Sequence, residues 1–224
     1  MQTREITTLH PNALRPKGAP RISPERIAEY VRLTRMVRAN HAAAGAFFDA
    51  LSRHPVAQWP SLLSANREVW NAQMLVRLAW AAGDIEEEAP AEALAMLDAG
   101  LHLAALIPPS SFAYEEGCLE LACWRAAALA DLGRFDEALA EIRNARRFVI
   151  RDSGRLAGLA KVLVERAYVH FRMGRHRHLQ RMLCASLRIV KEFGLDRQRA
   201  LRVLFLATAV PPAPVPNGGI DHVA

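Results

Sequence analysis

The chain has 224 residues, 51% of them apolar and 23% charged, with a formal net charge of +6, a composition ordinary for a globular protein with a substantial core. The charge runs basic, acidic, basic: nine Lys/Arg against four Asp/Glu in residues 1–60, seven against fourteen in 61–150, thirteen against five in 151–224. A uniformly basic nucleic-acid binder has no need of that acidic middle. Alanine, leucine and arginine dominate while glycine and aromatics are sparse, which favours helix. The N-terminus has no apolar signal core, and the most apolar candidate span, Val203 to Pro216, is broken by prolines; a cytoplasmic protein is expected. Cys118, Cys123 and Cys184 have no CxxC spacing and read as reduced, mostly buried thiols.

Residues 1–22 read as a disordered tail, and Ser23-Pro24-Glu25 as a helix start with serine at the cap and proline at the first helical position. A single domain is expected over 23–208, opening with a long helix over 24–52 that Pro55 stops. A second helix over 61–82 ends at Gly83-Asp84, and the loop Glu86-Glu87-Glu88 leads to a third that starts at Pro90 and runs to about Leu106. These two form a hairpin over about 61–107. Beyond Pro108-Pro109, four more helices at about 111–132, 134–150, 155–173 and 175–193 form hairpins over 111–150 and 155–193. A final helix over 196–208 precedes a proline-rich tail, 209–224, that reads as disordered. No segment shows the alternation of a half-buried strand.

The chain also resembles itself. Setting Gly133 on Gly174 aligns Arg125-Ala126 with Arg166-Ala167, Leu132-Gly133-Arg134 with Met173-Gly174-Arg175, and Ile142 with Leu183. A small residue lets the two helices of a hairpin cross closely, and glycine takes the left-handed turn between them. Asp131-Leu132-Gly133-Arg134-Phe135-Asp136-Glu137-Ala138-Leu139, with Ile142 and Ala145 after it, resembles the second half of a tetratricopeptide repeat. At Gly174, His176 and Leu179 replace the aromatic and the small residue; a third unit passes through Gly83, with Ala93, Leu97 and Gly100 in its second helix. The glycine intervals, 50 and 41 residues, depart from the family period of about 34. The layout also resembles tetratricopeptide-containing regulatory proteins of GC-rich bacteria, whose C-terminal helix reads like Phe193-Gly194-Leu195-Asp196 and its continuation in this chain. The resemblance implies an all-α fold: a right-handed α-α hairpin solenoid, TPR-like, of about eight helices with irregular repeats.

It also implies a groove lined by the first helix of each hairpin. Carried onto this chain, the groove positions are Trp70, Gln73, Arg77 and Trp80; Glu120, Cys123 and Ala127; and Lys161, Val164, Tyr168 and Arg172. Gln73 and Arg77 stand where some family members carry a lysine–asparagine clamp for a peptide C-terminus, so tail capture of that kind is not expected. The function implied is a regulatory protein-binding adaptor or scaffold that holds an acidic or amphipathic partner segment, with no cofactor and no membrane partner. Arginines and aromatics such as these dominate binding hot spots.

Catalytic signatures are absent: no phosphate-cradling glycine loop, no nucleophile elbow and no His-Glu-x-x-His. Glu86-Glu87-Glu88 and Glu115-Glu116 read as solvated faces. His170, His176, His178 and Cys184 are metal-ligating types without the spacing of a closed zinc site, and read as a solvated arginine-rich turn. Two alternatives stand beside the adaptor. Arg175, Arg177, Arg181 and Arg188, with Arg172, form a possible nucleic-acid patch, and Tyr168 or Phe171 a stacking platform. The long N-terminal helix, nearly free of charge from Ala42 to Leu51, caps the stack or makes a homodimer.

Overall fold

The computed structural model describes residues 23–149 and 155–193, all of whose regular elements are helical. The expected tails, 1–22 and 209–224, and the final helix 196–208 lie outside the described residues. The chain divides into two units, residues 1–38 and 39–224. Helix α1 (Pro24–Leu51) begins in the first and ends in the second. Its start agrees with the sequence expectation: Ser23 Oγ accepts the Arg26 backbone N–H at 3.3 Å, and the Ser23 hydroxyl holds the Glu25 carboxyl below its usual range. Within the first unit Ile27, Tyr30 and Val31 are exposed, Tyr30 at 72%.

The helix expected over 61–82 is instead three pieces: α2 (Trp59–Ala65), a 3-10 turn at Arg67–Val69, and α3 (Ala72–Ile85). Two asparagines cause the break by offering the backbone side-chain partners that a continuous helix lacks. Asn66 Nδ2 donates to the Leu62 carbonyl at 2.7 Å, and the Asn71 side chain accepts the Met74 N–H at 3.2 Å, capping α3. Trp70 then turns inward, its indole N–H donating to the Leu63 carbonyl at 2.8 Å.

The remaining helices fall close to their expected bounds: α4 (Pro90–Leu106), α5 (Tyr114–Asp131), α6 (Phe135–Val149), α7 (Arg155–Arg172) and α8 (His176–Phe193). They pair as α3–α4, α5–α6 and α7–α8; α5 packs on α3, α4, α6 and α7, and α6 packs on α7. Helix α5 is therefore apolar on nearly every side, and Cys118, Leu121, Cys123, Ala126, Leu129 and Ala130 are all buried.

Both aligned glycines make the same turn. Gly133 has φ +72° and Gly174 φ +69°. In each, the glycine N–H bonds the carbonyl three residues back (Ala130 at 3.0 Å, Phe171 at 2.9 Å) and the next residue's arginine N–H bonds the carbonyl five back (Leu129, His170, both 2.8 Å). This is the Schellman arrangement, which needs a residue at ease with positive φ. The aligned Ala126 and Ala167 are both fully buried, as close helix crossing requires.

The third unit does not repeat this. Gly83 lies inside α3 rather than at its end, and its φ is not positive. Its lack of a side chain serves packing: a Cβ there would lie 2.6 Å from Trp124 Cζ2. Glu86, expected on a solvated loop, is buried at 1% exposure, while Glu87, Glu88 and Glu116 are exposed and Glu115 is half-buried.

Candidate binding surface

Helix α3 presents Gln73, Arg77, Trp80 and Asp84 on one face, because spacings of four, three and four residues return to the same side of a helix. Trp80 is 50% exposed although it is one of the largest apolar side chains in the chain. Beside this face lies a cleft of about 400 Å³, walled by Phe48, Val56, Trp59, Ala81, Ile85 and Met96, with Ser52, His54, Arg77, Asp84 and Glu92 around it. Its walls are fixed. Phe48 meets Trp59 edge-on with ring centroids 5.8 Å apart, and the Trp59 indole N–H donates to the His54 carbonyl at 3.0 Å. The Arg77 guanidinium stands 5.0 Å over the Phe48 ring, so a cation and an aromatic face are held together at the mouth. An apolar hollow with a few converging polar groups is the ordinary form of a binding pocket.

The positions carried onto α5 and α7 do not form an open groove. Glu120 and Val164 are both 2% exposed, Tyr168 is buried, and Cys123 and Ala127 are buried with them. They lie where α5 and α7 pack. Glu120 on α5 forms an ion pair with Lys161 on α7. Asp131, at the end of α5, accepts the Tyr168 hydroxyl at 2.8 Å and forms an ion pair with Arg172. Burial, and then the Asp131 carboxylate, push the Tyr168 phenol well above its usual pKa. Side chains so engaged hold two helices together. Of the eleven groove positions, Gln73, Arg77 and Trp80 remain together on an accessible face of α3, Arg172 is exposed but paired with Asp131, and Trp70 is half-buried, with Arg67 5.5 Å over its ring.

The cleft residues Phe48, His54, Trp59 and Met96 are not among the positions expected from sequence. One signal for them is legible: Trp59 comes soon after Pro55 in what reads as a linker, where a large aromatic has no reason to stand unless something packs on it.

The histidine cluster is only partly assembled. His170, at the end of α7, and His178, in the first turn of α8, have ring centroids 5.0 Å apart. Among the described residues no group of three metal-ligating side chains comes together. His170 is 4% exposed and neither ring nitrogen has a hydrogen-bond partner among the described residues. Burial first, then the charges of Arg166, His178 and Arg175, lower its pKa from the ordinary 6.5. The unfolded chain therefore binds this proton more readily than the folded one. Stability is full above the unfolded value and is lost as pH falls through the folded one. The melting temperature is expected to drop as pH falls below the ordinary histidine value of 6.5, and His170→Leu is expected to flatten that drop. An equal drop in the variant would place the acid sensitivity elsewhere.

Burial raises the Cys118 thiol pKa, which keeps it protonated and unreactive. The three cysteines are thiols rather than disulfides, with Cys118 and Cys123 buried and Cys184 exposed. No described helix is long and apolar enough to cross a membrane. Comparison with known proteins finds no matching family model, no similar curated protein and no similar solved structure.

Proposed function

We propose that the chain is a tetratricopeptide-like stack of helix hairpins that acts as a protein-binding adaptor rather than an enzyme. In this reading the α3 face and its cleft hold the partner. One apolar side chain of the partner enters between Phe48, Trp59, Ala81 and Met96, and an acidic residue beside it meets Arg77. The observation that carries this is the pairing of a half-exposed Trp80 with an apolar cleft on the same side of α3. Large exposed aromatics beside arginine are the side chains on which binding energy concentrates. The cleft's walls are locked by ring packing and a hydrogen bond, so little ordering entropy is lost on binding.

The test separates binding from folding. Trp80→Ala with Arg77→Glu removes exposed groups only, so the melting temperature is expected to stay within a few degrees of the parent. Partner capture is expected to fall at least about tenfold, the loss of one modest hot spot. Tyr168→Ala is unsuited to this purpose, because Tyr168 is buried against Asp131 and its loss disturbs the α5–α7 packing. Undiminished capture by the folded double variant would exclude the α3 face as the docking surface.

A further inference from the structure

Arg177, Arg181 and Arg188 succeed one another along α8 at spacings of four and seven residues, which sets them within about 40° of one another around the helix axis. All three are exposed, as are Cys184 between them and Arg175 in the turn just before the helix. At 1.5 Å per residue, the stripe from position 177 to 188 is about 16 Å long. The sequence has no Asp or Glu from His176 to Lys191. Among the described residues none of these arginines takes part in an ion pair, whereas Arg125, Arg134 and Arg172 all do. The opposite side of α8 is spent on packing, with Leu179, Leu183 and Ser186 buried.

We propose that this arginine stripe binds the phosphodiester backbone of nucleic acid, without regard to base sequence. Three features favour a chain of phosphates over other acidic partners. Every charged member of the stripe is arginine, whose planar fork matches phosphate oxygens in pairs, where lysine offers only a point charge. No large apolar side chain is interleaved with the arginines, so the surface lacks both the anchor of a protein hot spot and the wedge of a membrane-inserting helix. The charges lie in a line along a rigid helix rather than in a cup, which suits a repeating polyanion more than a single small anion. The stripe lies on a different helix from the α3 cleft and does not depend on it.

Fluorescence anisotropy with labelled oligothymidylate and a duplex of equal length tests the proposal on the full chain. Four phosphate contacts predict that affinity falls by about 50- to 150-fold as salt rises from about 50 to 200 mM. Arg177→Gln, Arg181→Gln and Arg188→Gln combined replace exposed side chains that make no ion pair among the described residues, and circular dichroism verifies that the fold is kept. The combined variant is expected to make the slope of log affinity against log salt shallower by about two to three. An unchanged slope, or no binding at the lowest salt, would overturn the proposal. So would polyglutamate, or vesicles containing phosphatidylserine, binding as tightly as the oligonucleotide, since the stripe would then serve acidic proteins or membranes.

Discussion

Lys161→Met is expected to lower the unfolding free energy by about 3 kcal/mol, the loss incurred when one partner of a buried ion pair is removed. The reason is the asymmetry of the pair. Glu120 is 2% exposed on α5, whereas Lys161 on α7 keeps about a third of its side chain in solvent. Removing the partly exposed partner takes the lysine's charge away from a carboxylate that stays buried, where water compensates little for the loss. A lysine at that exposure still has part of its hydration, so the lower end of the usual range applies. Glu120→Gln added to Lys161→Met removes the charge while keeping the shape, and is expected to return most of the stability. Urea unfolding of the three variants and the parent measures this as a double-mutant cycle. A cost below about 1 kcal/mol for Lys161→Met alone would mean that the pair behaves as a surface bridge.

Leu121→Ala is the second large effect, expected to cost about 3 kcal/mol for the lost burial and the cavity left behind. Leu121 is fully buried on α5, and its side chain fills the space that a Cβ on Gly100 of α4 would occupy: such a Cβ would lie 2.5 Å from Leu121 Cδ2. The two positions share one volume. Gly100→Ala alone overpacks that space and is expected to cost about 1 kcal/mol, softened because a leucine tip can turn aside. Gly100→Ala in the Leu121→Ala background instead partly fills the new cavity and gains helix propensity. The double variant is therefore expected to be more stable than Leu121→Ala alone, a coupling of about 1 kcal/mol or more. Additive costs would contradict the contact between α4 and α5.

The sequence was readable wherever the cause of a structure is local. Helix bounds from Pro90 onward came from caps, proline and glycine, because those signals act through the adjacent backbone. The Gly133 and Gly174 turns were legible for the same reason, since a left-handed residue is a local need. Gly83 looks like a turn glycine in the sequence, but the cause of its glycine, the Trp124 ring, comes from another helix. The split between α2 and α3 was written in Asn66 and Asn71, but an apolar stripe over the same stretch outweighs two asparagines in any reading by period.

The binding surface divided in the same way. The groove positions that the tetratricopeptide resemblance implies include Gln73, Arg77 and Trp80, and these share one face of α3. The same resemblance implies Glu120, Val164 and Tyr168 on a groove, yet a repeat motif fixes only which residues share a helix face, and a neighbouring helix decides whether that face meets solvent. Here α5 and α7 pack on each other, and the polar groups of that face serve as their joint. The cleft is not legible in the sequence because Phe48, Trp59, Ala81 and Met96 come from four separate segments of the chain.

If the α3 face and its cleft hold a partner protein, a cross-linker placed there must capture it. The most direct test puts a photoactivatable residue at Ser52, an exposed position at the cleft's edge, and a second at exposed Arg143 on α6 as a control. Irradiation in lysate of the native cells, after nuclease treatment, precedes identification of the cross-linked chain. One discrete protein is expected to be joined at position 52, absent at 143, and lost when Ala81→Trp fills the cleft. Equal labelling at both positions, or labelling at 52 that survives Ala81→Trp, would contradict the assignment of the partner to this face.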